Sequence, residues 1–582
     1  MGRTFIATIY SIAIDPTLRF RWVALQLAEL AKCSSEYQII QQLKDLPEGL
    51  DDIYSRILKA TDGKYRADTL TFLQWLAFSR RPMKIEEVAE AITVDFDAED
   101  GPIFTPIKRY TDPRDVIVRC SSLVSESKGK CCRLNPKFES LLIVMTGAIK
   151  LSHFSVKEYL LSNRIENFFR ISEKTSHSRI SEISVAYLLQ FNSFEPLTEA
   201  TLDSSPLARY AAKHWIDHAK SGGMDSGVLK SILRLFVSET APLTNWIRLW
   251  NIDDPSMAFK EDLLMDKAKV HPPLYYAALA GIEQVAYYLL EKGAEVNAQQ
   301  GRYGFALQAA SYEGHEAIMK VLLENGAEVN AQGGEYGNAL QAASYRGHQA
   351  IVKVLLEKGA RVNAKGGEYG NALQAASFGG HEAIVKVLLE EGAEVNAQGG
   401  EYGNALQGAS FGAHETIVEL LLEKGAEMNT QGGYFGNVLQ AASYGGYEVI
   451  VKVLLEKGAE VNSQGGEFGN ALQAASFGGH EAIVKVLLEK GAEVNAQGGQ
   501  FGNALQAASF GGYEEIVEVL LEKGAEVNAQ GGYFGNALHA ASYVGFEETV
   551  KVLLENGAEV NEVTMEDITN STVLKLLMEA QQ

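Results

Sequence analysis

The sequence predicts a mainly α protein: a stacked-repeat α-solenoid preceded by a helical half that holds one short hairpin. Three observations predict it. A leucine recurs at Leu274, Leu307, Leu340, Leu373, Leu406, Leu439, Leu472, Leu505 and Leu538, each 33 residues after the last. A fixed period of that size marks stacked units that bury their apolar faces on one another. Each unit holds two short helical patterns separated by glycine, as in residues 338–370, NALQAASYRGHQAIVKVLLEKGARVNAKGGEYG. The segment before residue 272 instead carries irregularly spaced amphipathic patterns and no repeat.

In the first half, residues 19–30 are patterned as an amphipathic helix through Trp22, Val23, Leu25, Leu27 and Leu30, and residues 37–43 as a second. Leu46-Pro47-Glu48-Gly49 is a break, after which 51–58 reads as helix. Residues 70–78 are apolar on nearly all sides, which predicts a buried helix ended by Arg80-Arg81-Pro82. IEEVAEAI at 85–92 is a clean amphipathic helix, and the Asp-, Pro- and Gly-rich 95–113 a loop. Another element begins at 116–123. Residues 141–154 alternate and are β-branched, with Gly147 as turn, so a short hairpin is expected there. Ser155-Val156-Lys157-Glu158 fits the S-x-x-E capping box, which opens a helix running to Leu161. Further helices are expected over 183–189, 207–219, 228–236 and 246–250, with Trp215, Trp246 and Trp250 in their core.

Helices, then a hairpin, then a helix is the layout of a winged-helix domain. Such domains bind DNA through a basic helix or act as protein–protein modules. The charge-neutral composition of this half and its lack of a basic cluster point to the second use.

Within the unit 338–370, Asn338 is placed as N-cap and Gln341 as its capping-box partner. The first helix, 339–344, is built from small residues that permit close helix approach. Gly347-His348 turns the chain. The second helix, 349–358, aligns Ile351, Val352, Leu355 and Leu356, and Gly359 supplies its left-handed end. Helices this short are marginal alone, so stability comes from stacking. Residues 572–579 repeat the second-helix pattern without a first helix, as a C-terminal cap.

The net charge is −22. From residue 272 onward there are 17 lysines and arginines against 39 acidic residues, which accounts for all of it. An acidic array repels nucleic acid and anionic membranes and suits basic partners. Cys33, Cys120, Cys131 and Cys132 form no CxxC pair and no disulfide framework, which fits a reducing, cytoplasmic setting. No apolar stretch is long enough to span a membrane. The apolar 5–14 segment follows Arg3 without a cleavage site.

Candidate sites lie in recurring columns. His315, His348, His381, His414 and His480 share one slot with Tyr447, Tyr513 and Phe546. Stacked helices about 8–10 Å apart are too distant for metal–nitrogen bonds of about 2 Å, so a structural role is expected and no metal. Two aromatic columns, Tyr336/Tyr369/Tyr402/Phe435 and Tyr345/Phe378/Phe411/Tyr444, read as packing, or else as a stripe for a partner. Variation concentrates at the turn tips, Arg302, Glu335, Glu368, Glu401, Tyr434, Glu467, Gln500 and Tyr533. It also marks the inter-helix turn, Glu313, Arg346, Gly379, Gly412, Gly445, Gly478, Gly511 and Val544. A fixed framework with variable tips is how an extended binding surface would appear; neutral drift at exposed sites would appear the same.

Two resemblances rest on these residues. The GH…IV..LL..GA..N series and the N-A-L-Q-A-A start resemble the ankyrin repeat, whose usual start is T-P-L-H-x-A. Here Asn stands for Thr and Ala for Pro, while Pro273-Leu274 and His539 keep the usual form. The resemblance implies nine units over 272–562. FRWVALQLAEL at 20–30, LPEGLDDIYSRIL at 46–58, LQWLAFSRRPMKIEEVAEAI at 73–92 and SHFSVKEYLLS at 152–162 resemble the segment after the nucleotide-binding domain of fungal NACHT–ankyrin proteins, which are similar to NOD-like receptors. That resemblance implies a NACHT remnant over 1–62, a winged-helix-like domain over 63–165, a helical spacer over 166–271, and a cap over 563–582. It also implies a switch in which nucleotide state controls assembly and repeats sense a partner. No G-x-x-x-x-G-K-[ST] occurs, however. Gly63-Lys64 and Gly129-Lys130 precede Tyr65 and Cys131 and lack the upstream glycine. Without that phosphate cradle, nucleotide hydrolysis is not expected of this chain.

The expected function is therefore non-enzymatic protein–protein recognition or scaffolding in signalling or self/non-self sensing, with no cofactor and no nucleic-acid partner. The alternative is the sensor half of a nucleotide-driven switch whose P-loop lies upstream or on another chain.

Overall fold

Short helices at the 33-residue period and a separate helical half make up the computed structural model. It describes residues 49–581 except 100, 127–147, 166–167, 237–240, 255–262, 264, 266–268 and 561–567, together with residues 35 and 38. The apolar 5–14 segment, the helices expected over 19–30 and 37–43 (Gln38 apart), and Cys33, Cys131 and Cys132 lie outside the described residues. The chain divides into two units, Met1–Pro273 and Leu274–Gln582.

In the first unit, helix Leu50–Lys59 buries Ile53, Tyr54 and Leu58. Helix Arg66–Phe78 buries Phe72, Leu73 and Trp75 completely, as its all-round apolar pattern demands. Strand Met83–Lys84 leads into helix Ile85–Ala89. There the Glu87 carboxylate accepts the Lys84 N–H at 2.7 Å and a forked pair of Arg81 bonds at 2.8 and 2.6 Å. The loop expected over 95–113 contains an antiparallel pairing of Val94–Asp95 with Ile103–Phe104 and a 3-10 turn at Pro106–Lys108.

The first arm and turn of the hairpin expected over 141–154 lie outside the described residues, and its remaining part is a strand, Ala148–Leu151. Strand Ala148–Leu151 is the centre of a three-stranded antiparallel sheet, with Met83–Lys84 on one edge and Val124–Glu126 on the other. Local alternation could not reveal partners this distant in sequence. The capping box at Ser155 is also corrected. Helix Phe154–Leu161 is capped by His153, whose Nδ1 accepts the Ser155 N–H at 3.2 Å. The Ser155 hydroxyl instead bridges the Tyr54 hydroxyl (2.8 Å) and His153 Nδ1 (2.7 Å).

Helix Glu173–Leu188 starts ten residues before the expected 183, N-capped by the Ser172 hydroxyl. Its early turns are serine-rich and polar to the eye, yet Ser176, Ser178 and Ser181 are buried where helix Ala208–Gly222 packs closely on it. Small side chains permit that approach, and Ser178 and Ser181 donate to Gly222 O and Trp215 O. Helices Ser226–Phe236 and Ala241–Leu249 complete the unit. Trp215 and Trp246 are fully buried, 5.3 Å apart; Trp250 is only half-buried, with Lys213 over its ring.

Two buried histidines join these helices. His177 Nδ1 and His218 Nδ1 face each other at 2.7 Å, so only one of them can carry a proton. His218 Nε2 lies 2.9 Å from the Tyr210 hydroxyl, which accepts the Arg80 N–H. Burial first, then the charges of His177, Arg80 and His214, push His218 down to about 3; burial also lowers His177. Because both folded-state values lie below the ordinary 6.5, the unfolded chain takes up protons first as pH falls. Stability is full above that value and declines below it, by at most about 1.4 kcal/mol per pH unit per histidine. Urea unfolding followed by tryptophan fluorescence reads this unit alone, since all five tryptophans precede residue 274. His218→Asn should flatten the slope between the histidine range and pH ~4; an unchanged slope would refute it.

In the second unit, residues 338–370 fold as foreseen. Asn338 Oδ1 accepts the Gln341 N–H at 3.0 Å, helices Ala339–Arg346 and Gln349–Glu357 follow, and Gly359 ends the second at φ +87. Ile351, Val352 and Leu355 are buried, Leu356 half-buried. The Gln341 side chain does something other than complete a capping box. Its Nε2 donates forward to Ala364 O, Gly366 O and Gly370 O of the hairpin that leads into the next unit, at 3.1–3.2 Å. The full box forms at Asn437/Gln440 and Asn470/Gln473, where the glutamine reaches both ways. Asparagines form a second staple: Asn330 Nδ2 donates to Gly359 O while its Oδ1 accepts the Arg361 N–H, and Asn363, Asn396 and Asn462 repeat this. Helix Ser571–Ala580, capped by Asn570, packs on Glu547–Glu555 through Val573 and Leu577.

Candidate functional site

The turn tips form one continuous ladder. Each hairpin closes on itself, as where Gly399 N–H meets Gly403 O at 2.9 Å. Each tip amide then donates to the tip carbonyl one repeat back: Glu335 to Arg302 (2.9 Å), Glu368 to Glu335 (2.8 Å), Glu401 to Glu368 (2.8 Å) and Tyr434 to Glu401 (2.7 Å). Glu467, Gln500 and Tyr533 continue it. Thus the eight variable tip residues lie in one row, with backbones fixed and side chains at the rim. Arg302 and Glu335 neutralise each other through a forked ion pair, and that bond raises the Arg302 guanidinium. Being partly exposed, the pair adds at most about 1 kcal/mol. Burial, then repulsion from the Glu335 and Glu401 carboxylates, pushes Glu368 above the usual carboxylate range. Tyr533 stands out at 84% exposure.

Beside the tips runs an aromatic ladder. The two aromatic columns interleave from Tyr303 and Tyr312 through Phe534 and Tyr543. Neighbours alternate across columns at about 4.4–5.7 Å, as in Tyr345–Tyr369 (4.7 Å), Tyr369–Phe378 (5.3 Å) and Phe378–Tyr402 (4.4 Å). In one column Tyr336, Tyr369, Phe435 and Phe468 are buried and Tyr402 is partly buried. The column of Tyr345, Phe378, Phe411, Tyr444, Phe477 and Phe510 is half-buried and stacked on itself at 6.0–6.1 Å. Packing therefore describes the first column, and the second also meets solvent. A groove of about 500 Å³ opens there, lined by Tyr444, Phe477, Phe510, the glycines Gly445, Gly478 and Gly511, and the rings of Tyr513 and Phe546.

The inter-helix column directly follows the half-buried rings in sequence, and its Gly445, Gly478 and Gly511 line the same groove. Glu313 is half-exposed and Arg346 exposed; the Arg346 guanidinium sits over the Tyr312 ring at 4.8 Å. The histidines bind the preceding repeat: His348 Nε2 meets Tyr312 O at 2.9 Å, His381 Tyr345 O at 2.8 Å, His414 Phe378 O at 2.9 Å and His480 Tyr444 O at 2.8 Å. With Nε2 as donor to a carbonyl, each ring is a clamp between repeats. Among the described residues no group of three or more His, Cys, Asp or Glu could hold a metal ion. No described helix is long and apolar enough to cross a membrane.

The model of the family "Ankyrin repeats (3 copies)" matches this chain in overlapping stretches, 258–333, 274–366, 306–399, 341–432, 405–498 and 497–564, more than half its length. The chain belongs to the ankyrin-repeat family. Its ankyrin unit is a scaffold for protein–protein interaction, and its closing histidine, His539, keeps the family's usual residue; Nδ1 there meets Phe534 O of the same repeat at 2.9 Å. Azaphilone pigments biosynthesis cluster protein L of Monascus ruber is 36% identical over 306 residues, half of this chain and 62% of that protein. Vegetative incompatibility protein HET-E-1 of Podospora anserina is 23% identical over 230 residues, 34% of this chain and 15% of that protein. The chain thus spans less than two thirds of either relative. The crystal structure of the human ASB11 ankyrin repeat domain matches with a TM-score of 0.34 at 26% identity, over 38% of this chain and 99% of that one.

The columns of variable tips were legible in the sequence. The ring columns read as packing or else as a stripe for a partner, and which of the two meets solvent at a groove was not legible. The signal available was the invariable Tyr or Phe placed directly before the glycines Gly379, Gly412, Gly445, Gly478 and Gly511, which leaves rings without covering side chains.

Proposed function

We propose that this chain is a non-enzymatic recognition protein that holds a protein partner along the tip ladder and the neighbouring ring column. The observation that carries this is the row itself. Eight side chains of differing chemistry, Arg302, Glu335, Glu368, Glu401, Tyr434, Glu467, Gln500 and Tyr533, stand on a rigid hydrogen-bonded rim. A framework that fixes backbone and varies side chains separates stability from partner choice. In this reading Glu313 and Arg346 border the same surface, and residues 63–165 and 166–271 act as a winged-helix-like module and spacer that anchor it in the cytoplasm.

A second reading is supported by the likeness to the vegetative incompatibility protein and by the ordered motifs at 46–58, 73–92 and 152–162. Under it, this chain is the sensor part of a NACHT-type signalling switch whose nucleotide site lies on another segment or chain.

The test is differential capture. Wild-type chain, a tip variant (Glu368→Ala, Glu401→Ala, Tyr434→Ala, Tyr533→Ala) and an outer-helix variant (Glu382→Ala, Lys386→Ala) are compared for the same co-purifying protein. Wild type and the outer-helix variant should retain it, and the tip variant should weaken it about 100-fold, as loss of anchor side chains does. Equal retention by all three would refute this surface.

A further inference from the structure

The array uses an arginine of its own in a way that shows what its ring column accepts. Arg346 lays its guanidinium over Tyr312 and directs Nε toward Tyr312 O at 3.4 Å, beside the His348 donor to that carbonyl. Arg346 is the only arginine in its column. The next five repeats carry glycine there and the last carries Val544, so none of them brings a guanidinium; a Cβ on Gly478 would meet the His480 ring at 2.6 Å, and one on Gly511 the Tyr513 ring at 2.2 Å. The rings of Tyr444 and Phe477 therefore receive no guanidinium from within the chain at these positions. At Phe477 and Phe510 the histidine clamp is replaced as well, by Tyr513 and Phe546, which bring no imidazole N–H. These rings are the ones that line the groove of about 500 Å³.

We infer that this groove takes an extended, arginine-bearing segment of a partner protein, alternate residues of which register with successive repeats. This rests on the recognition role proposed above and names the chemistry of the partner. Three properties select that occupant. Aromatic faces next to carbonyl oxygens match a planar guanidinium that both stacks and donates. The array carries the whole net charge of −22, and Glu401 and Glu467 rim the same ladder. The ring column advances 6.0–6.1 Å per repeat from Phe378 to Phe510, while two residues of extended chain advance about 6.6 Å. A strand laid along the column thus places every second side chain near the next ring.

The test uses the full chain and two labelled peptides of about twelve residues and identical composition, one alternating Arg and Ala, the other with its arginines in a block. Fluorescence anisotropy at physiological salt reads the affinities. The alternating peptide should bind about tenfold tighter than the block peptide. Phe477→Leu with Phe510→Leu, which keeps apolar bulk but removes the aromatic face, should weaken it roughly fivefold. Equal binding of the two peptides to the wild-type chain would overturn the inference on its own, even if the double variant proved unstable. So would unchanged affinity in a folded double variant. If the peptides fail to discriminate while the tip variant still loses its captured protein, the groove assignment falls and the recognition surface stands. If the tip variant also keeps its protein, both fall.

Discussion

Replacing Gln374 by alanine is expected to destabilise the ankyrin array by about 3 kcal/mol. One amide group, Gln374 Nε2, donates to three carbonyls of the hairpin that leads into the following repeat, Ala397 O (3.2 Å), Gly399 O (3.0 Å) and Gly403 O (2.9 Å). The side chain is almost fully buried, so truncation leaves Ala397 O and Gly399 O without this donor, while Gly403 O keeps the Gly399 N–H, and it opens a cavity that backbone amides cannot fill. Buried acceptors left unpaired cost about 1–3 kcal/mol each, less where water can enter. The loss sits at one interface of a stack held together by nearest-neighbour contacts, so the transition should broaden or split. Urea unfolding followed by circular dichroism reads it. Gln374→His should recover only part of the loss, because a neutral imidazole has one N–H where the amide has two. A loss under about 1 kcal/mol for the alanine variant would show that the glutamine column does not carry the coupling.

Gly400→Ala should be as damaging, for a different reason, and should reach the recognition surface. Gly400 has φ +67, and a Cβ there would lie 2.4 Å from Tyr369 C, 2.5 Å from Gly370 N and 2.7 Å from Glu368 O. All three are backbone atoms of the preceding repeat, so nothing but the ladder can yield. The bond from Glu401 N–H to Glu368 O, 2.8 Å long, would be among the first lost. Gly392→Ala is the matched control: φ is +86, yet its Cβ would meet nothing within 4 Å. The control should lose about 1 kcal/mol from left-handed strain alone, and Gly400→Ala about 3 kcal/mol or more. Equal losses would mean that the tips are not packed on one another.

Much of this was legible in the sequence because the array repeats. Asn338, Gly347 and Gly359 each announce a cap or a left-handed turn by local chemistry, and nine copies at one spacing remove doubt about register. What escaped were contacts between residues far apart in the chain. Gln341 looks like the second half of a capping box three residues after Asn338, and only the next hairpin, 23 to 29 residues on, reveals its other use. The strand Ala148–Leu151 likewise finds partners at Met83–Lys84 and Val124–Glu126 that no local alternation encodes. The helix from Glu173 was missed because serines that read as polar are buried by close packing. At the candidate site, the tips were visible as variation against a constant frame. The exposure of one aromatic column and the burial of the other depend on which ring the glycine turn leaves uncovered.

Recognition through the tip and ring face is tested most directly by hydrogen exchange on the full chain with and without the partner captured by it. Slowed exchange should fall on the tips at 367–370, 400–403 and 433–436 and on the first-helix ends near 378–381 and 477–480, with the second helices Gln349–Glu357 and Glu382–Glu390 unchanged. Slowing confined to those second helices or to residues before 274, with the tips unaffected, would contradict it.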